Sequence, residues 1–183
     1  MKVSDGKPYF VYVGSIHPRK NIVRLLEAFD AFKAQTKSET KLIIVGRKAW
    51  QHSDVEATLD KLASKNDILF LGHLSSEETA SIVASSLAMC YVSLFEGFGI
   101  PIVEAQQAGT AVITSNLSSM PEAAGEGALL VDPNDTQAIA NAMQRIFEEP
   151  LLRETLIQKG FENSKRFSWE KSAEKLWHTI QTL

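Results

Sequence analysis

The 183 residues contain a single cysteine, Cys90, so no internal disulfide can form and the chain fits a reducing compartment. Cys90 sits in the apolar run LAMCYVSL, where a buried structural thiol is expected. Positive charge is not in excess either. Lys and Arg total 19 against 22 Asp and Glu, a net charge of -3, and the basic face that nucleic acid demands is missing. No apolar stretch approaches the ~20 residues that span a bilayer, and the opening MKVSDGKPYF lacks the apolar core of a signal peptide. The expected protein is soluble and cytoplasmic, peripheral to a membrane only where a further domain supplies the contact. His17, His52, His73 and His178 form no spaced set with Cys, Asp or Glu of the kind that ligates a metal. No G-x-G-x-x-G follows the first apolar run, and GSIHPRKN lacks the second glycine and the Ser or Thr of a P-loop. No Ser or Cys nucleophile elbow is present.

What is there is ordinary globular material, 44% hydrophobic and 22% charged, in a length that suits one domain. Six short apolar runs recur at residues 9–14, 41–46, 68–72, 87–93, 111–115 and 128–132. Runs apolar on both faces read as strands buried in a parallel sheet. Amphipathic segments separate them. In NIVRLLEAFDAFKAQ, residues Ile22, Leu25, Leu26, Phe29 and Phe32 fall at helical intervals. Further helices are expected over 53–65, over 75–86 with SSEE as its start, and over 101–108. This alternation predicts a Rossmann-like, doubly wound α/β sheet of about six strands in the order 3-2-1-4-5-6. After the sixth run the chain turns helical, with Asp135 as a cap and Pro150 and Ser168 as helix starts. Trp169, Ala173, Leu176, Trp177 and Ile180 make a stripe suited to packing on a core.

In such sheets the ligand crevice lies at the carboxyl ends of the strands where the winding reverses, between strands 1 and 4. The loops after those strands are GSIHPRKN, 14–21, and SLFEGFGIP, 93–101. Gly97, Phe98, Gly99, Ile100 and Pro101 lead into the fourth helix. Its start offers unpaired N–H groups and a positive dipole end to an anion. Gly97 and Gly99 let a ligand approach the backbone, and Pro101 suits the first helical turn. Glu104, about one turn in, leans back toward the crevice and can accept hydrogen bonds from ligand hydroxyls. Glu96 stands at the strand end, where a solvated loop carboxylate is the plain alternative. Arg19 and Lys20 enter the first helix opposite this anion site, although two basic loop residues are more often a solvated face. Two carboxylates also suit glycoside hydrolysis, whereas a helix start with nearby cations suits a phosphate leaving group.

From YVGSIHPRKN through LIIVGRKAW, LFLGHLS and SLFEGFGIPIVEAQQAGTAVITSNLSSMPEAAGEGALLVDP to RFSW, the chain resembles the C-terminal half of a GT-B glycosyltransferase of family 4. The paired glutamates, with the GFG between them, carry the resemblance most specifically. It implies one nucleotide-sugar-binding domain over 1–183, with an N-terminal acceptor domain absent. Glu104 is then expected on the ribose hydroxyls of a nucleotide sugar and Glu96 near the donor sugar's hydroxyls. The backbone from Gly97 to Pro101 would cradle sugar and diphosphate, and Lys20 would neutralise the diphosphate. The base is expected against the ends of strands 2 and 3, near Arg47, Lys48 and His73 to Leu74, and Gly14 is expected among the substrate-binding residues. Many members carry arginine directly after the first-strand glycine. Here that position is Ser15, and Arg19 is the candidate to supply the charge. GSIHPRKN and GRKAW resemble the mannosyltransferase-like branch, which implies GDP-mannose as donor. The implied chemistry is retaining transfer without a cofactor or metal, the leaving phosphate taking the acceptor's proton. The acceptor, a glycan or lipid-linked sugar, is expected on the absent domain, toward which the last helix would cross. A nucleotide-sugar epimerase, a phosphorylase, and a non-catalytic binding module are the alternatives.

Overall fold

Strands with no polar face can only lie in a sheet covered on both sides, and the six apolar runs do so. The computed structural model describes residues 3–47 and 53–182. Its strands are β1 (Tyr9–Val13), β2 (Lys41–Val45), β3 (Ile68–Gly72), β4 (Ala88–Tyr91), β5 (Ala111–Ser115) and β6 (Ala128–Val131). Its helices are α1 (Ile22–Thr36), α2 (Ser53–Leu59), α3 (Ser76–Ala84), α4 (Ile100–Gln107), α5 (Met120–Ala124), α6 (Thr136–Glu148), α7 (Pro150–Ser164) and α8 (Trp169–Gln181).

The sheet runs β3-β2-β1-β4-β5-β6 and every pairing is parallel, so the expected order is the observed one. Parallel strands need right-handed crossovers, and reversing the winding at β1 and β4 divides the helices between two faces. Accordingly α1 packs with α2 and α6, while α4 packs with α3, α5 and α7. Phe10, Val11, Leu42, Ile43, Ala88 and Cys90 are wholly buried between these layers. Burial pushes the Cys90 thiol well above its ordinary pKa, as befits a structural residue rather than a nucleophile.

Local signals set most helix starts. Ser75 and Glu78 form a reciprocal capping box at α3. The Asp135 carboxylate accepts from the N–H groups of Gln137 and Ala138 at α6, and Ser168 accepts from Lys171 N–H at α8. Pro150 occupies the first turn of α7.

Three elements depart from the sequence expectation. The helix expected over 53–65 ends at Leu59, because tertiary anchors hold the residues beyond it in other conformations. Asp30 accepts from Ser64 N–H at 2.8 Å, and Asp67 pairs with Lys33 and Lys41, each at 2.6 Å. The short α5 forms where no helix was expected, with Met120, Ala123 and Ala124 buried. The α8 stripe does not pack on the core: no residue of that helix is buried, and Trp169 is 78% exposed.

Backbone hydrogen bonds tie the carboxyl ends of the first three strands together. Gly14 N–H donates to Val45 O at 2.9 Å, Ile16 N–H to Arg47 O at 3.0 Å, and Gly46 N–H to Gly72 O at 2.8 Å. The approach is so close that a Cβ on Gly46 would lie 1.8 Å from Gly14 O, at a φ of +153° that side chains disfavour. Gly46→Ala should therefore lower stability by roughly 3 kcal/mol through overpacking against backbone that cannot move aside. Urea-unfolding midpoints would check this, and a loss below about 1 kcal/mol would show that the two loops separate easily.

Candidate functional site

The two loops chosen from the sequence do meet, because β1 and β4 pair with Phe10 opposite Ala88 and Val11 opposite Met89. Between them and α3 opens a cleft of about 740 Å³. Gly14, Ser15, Arg47, His73, Leu74, Pro101 and Glu104 line it, together with Ser76 and Thr79 of α3. Glu104 is exposed, five residues into α4, with its side chain on the cleft wall. Lys48 lies outside the described residues.

A second group of side chains sits in the same two loops. Pro18–Lys20 form a single 3-10 turn, closed by Asn21 in a left-handed conformation at φ 61°. The Asn21 amide donates to Val92 O at 3.0 Å and Pro133 O at 2.7 Å, and Leu94 N–H donates to Arg19 O at 2.8 Å. This knot fixes the turn against the end of β4, so that both of its cations face Glu96. Arg19 donates to one Glu96 carboxylate oxygen and, at 3.2 Å, to Phe95 O. Lys20 donates to the other carboxylate oxygen and, at 2.6 Å, to the Tyr91 hydroxyl. The Glu96 carbonyl accepts from Ser118 Oγ at 2.8 Å and Ser119 Oγ at 2.9 Å, which fixes its backbone from the α5 side.

Glu96 is thus no solvated loop carboxylate, nor is Lys20 part of a solvated face: each is only 7% exposed. Arg19 alone of the three stays exposed. Burial would raise the Glu96 carboxyl, but hydrogen bonds from Lys20 and Arg19, aided by the Lys20 charge, outweigh it and hold the group below the usual glutamate value. Ser93 Oγ is fully buried without a hydrogen-bond partner of good geometry. It nonetheless lies near enough to favour the Glu96 anion through proximity. Two cations around one carboxylate leave a formal excess of one positive charge, next to a helix start that Gly99 leaves without a side-chain cap. Such a place can take an anion.

The remaining expected residues divide. Gly97 is exposed, and Gly99 takes the left-handed conformation at φ 109° that begins α4. Ile100 is 47% exposed beside the ion cluster's loop. Phe98 turns away, its ring edge-on to Phe167 with centroids 5.3 Å apart. Ser15 supplies no charge. Its carbonyl accepts from the Tyr12 hydroxyl at 3.0 Å, while Arg19 brings the second cation into the cluster. Tyr12, Asn21, Ser118 and Ser119 lie inside the stretches that carry the family resemblance without being singled out as site residues, and Tyr91 lies outside those stretches. The signal that could have found Tyr91 is a polar-tipped ring at the carboxyl end of a wholly buried strand.

The sequence model of glycosyl transferases group 1 matches residues 2–163. O-antigen chain mannosyltransferase B of Escherichia coli is 33% identical over 162 residues, which are 88% of this chain and 42% of that protein. O-antigen chain mannosyltransferase RfbU of Salmonella typhimurium is 32% identical over 146 residues, covering 80% of this chain and 40% of that one. Among solved structures, a sucrose-phosphate synthase from Thermosynechococcus elongatus superposes with a TM-score of 0.81 at 30% identity, over 97% of this chain and 45% of its own. Anabaena HepE in complex with UDP and glucose superposes with a TM-score of 0.87 over 98% of this chain and 50% of its own, a likeness of fold at 21% identity. The chain spans less than half the length of these curated relatives.

The direction of the Glu96 shift has a consequence for stability. A carboxyl held below its unfolded pKa contributes fully above the ordinary glutamate value of ~4.3 and loses that contribution as pH falls through the lower folded value. The stability gap between the wild type and Glu96→Gln should stay constant from about pH 7 to about pH 5, begin to narrow as pH falls below ~4.3, and close as pH falls through the lower folded value. Asp67, also lowered, is common to both proteins and cancels in the difference. Urea midpoints across that range check this, and a gap that does not narrow at all between about pH 5 and about pH 3 would remove the carboxylate charge as the cause.

Proposed function

The chain belongs to the group 1 glycosyl transferases, and from that premise we propose that it is the donor-binding unit of a family 4 GT-B enzyme that moves a sugar from a nucleoside diphosphate to an acceptor hydroxyl. The observation that carries this reading is the pairing of Arg19 and Lys20 with Glu96 across the two loops at the reversal of the sheet, the second of which leads into α4 and its Glu104 on the cleft wall.

The diphosphate would lie over the first turn of α4, facing Lys20 and Arg19. Those cations and the helix start would stabilise the charge that grows on the leaving phosphate. Glu104, exposed on the cleft wall, would accept from the ribose hydroxyls. Arg47 and Leu74 at the ends of β2 and β3 would border the base. Glu96 would turn to the hydroxyls of the donor sugar. The bond between the anomeric carbon and the phosphate oxygen breaks, and the acceptor oxygen bonds to that carbon on the same face. The acceptor's proton passes to the leaving phosphate, giving retention with no protein base. Charge neutralisation by side chains in this way needs no metal. GDP-mannose is the proposed donor, supported by the mannosyltransferase names of the relatives.

The acceptor, a glycan or lipid-linked sugar, would sit on a separate N-terminal unit of a cytoplasmic or membrane-peripheral enzyme. Among the described residues no helix is long and apolar enough to cross a membrane. Exposed Trp169, Leu176, Trp177 and Ile180 on α8 suit the surface that would meet that unit. Without it, this chain should bind donor and transfer nothing.

Calorimetric titration with GDP, UDP and ADP in the presence of EDTA tests the reading. One nucleoside diphosphate, expected to be GDP, should bind selectively, and Glu104→Ala should weaken it about tenfold, the worth of about one hydrogen-bonding group. Because Glu104 is exposed, the melting temperature should hardly move. Binding that needs a divalent metal, or unchanged affinity in the variant, would overturn the corresponding role.

A further inference from the structure

Lys20 has two partners of different kinds. Glu96 is an anion that the donor reading calls away, toward sugar hydroxyls, when a diphosphate arrives to take the cations. The other is Tyr91, whose hydroxyl accepts from Lys20 Nζ at 2.6 Å and whose ring centroid lies 4.8 Å from the same nitrogen. A lysine stem has four rotatable bonds, and an ammonium that loses its counter-ion needs another fixed partner to stay in place. Tyr91 is unusually well fixed. It is 2% exposed, its carbonyl accepts from Thr114 Oγ1 at 2.7 Å, and its ring stacks on Tyr12 with centroids 6.2 Å apart and planes 13° from parallel. Tyr12 is itself bonded to the carbonyl of Ser15 on the cleft wall.

We propose that Tyr91 is a positioning residue, whose hydroxyl holds the Lys20 ammonium at the diphosphate site while Glu96 exchanges its cations for the donor. The inference rests on the donor-binding reading. It assigns to a strand residue the accuracy that a flexible lysine lacks alone. Burial and the neighbouring Glu96 charge push the Tyr91 hydroxyl above its ordinary pKa, so it remains neutral and offers Lys20 a lone pair without competing for the charge.

Tyr91→Phe removes that oxygen and leaves the ring. In nitrogen-15 NMR of the labelled chain, with the Lys20 ammonium assigned by its loss in Lys20→Met, proton exchange at that ammonium should become about tenfold faster, as for a lost hydrogen bond to a charged group. By calorimetry the variant should bind its nucleoside diphosphate about tenfold more weakly and the matching nucleoside unchanged. Unchanged exchange, or equal diphosphate affinity in the two proteins, overturns the proposal. Equal weakening of nucleoside and diphosphate with a lowered melting temperature overturns it too, since that is a packing role. Should the wild type bind no GDP, UDP or ADP while ammonium exchange still depends on Tyr91, the donor reading falls and the positioning of Lys20 stands.

Discussion

The parallel pairing of β1 with β4 is the contact on which the candidate site depends. Strands remote in sequence become neighbours there because the winding of the sheet reverses between them. Consecutive crossovers would otherwise cover each strand end with the next connection. At the reversal the loops leaving the two strands run to opposite sides and leave a gap with backbone on both walls. The loop after β1 brings the cations, and the loop after β4 brings Glu96 and the start of α4. Neither set has much chemical meaning alone.

Burying Glu96 imposes the next constraint. A carboxylate at 7% exposure is tolerable only with strong partners, and this one has a cation on each oxygen. Those partners must also be held, which explains how much of the surrounding polar structure is spent on the loops. Asn21 ties the 3-10 turn to β4 and to the loop after β6. Ser118 and Ser119 hold the Glu96 carbonyl from the far side. An arrangement so fully bonded is already assembled without a ligand. On the donor-binding proposal, an incoming phosphate would compete with an internal carboxylate instead of having to organise loose side chains.

The other face of α4 shows the same economy of means applied to stability. Gln106, almost wholly buried, donates to Ala124 O at 2.8 Å and accepts from Asn163 Nδ2 at 2.9 Å, while Asn163 also donates to Ala123 O at 2.8 Å. Three helices, α4, α5 and α7, are thereby locked by one small network with its amides paired. A helix whose amino end borders the candidate site is thereby immobilised at its buried side. By contrast α8 leaves its apolar stripe uncovered, with none of its residues buried.

The sequence by itself determined the class of sheet, its strand order and the pair of loops at the reversal. These rest on local information: unbroken apolar runs such as KLIIV and AMCY, periodic helices such as α1, and caps at Ser75, Asp135 and Ser168. It also marked Glu96, Lys20 and Glu104 as belonging together. It left no trace that Glu96 is buried between Arg19 and Lys20, that Phe98 turns toward Phe167, or that the second helix stops at Leu59. Those outcomes depend on partners distant in the chain, among them Asp30 for Ser64 and Tyr91 for Lys20. Only the tertiary structure decides them, because hydrogen bonds and ion pairs are fixed by distances of a few ångströms that periodicity and spacing along the chain do not encode.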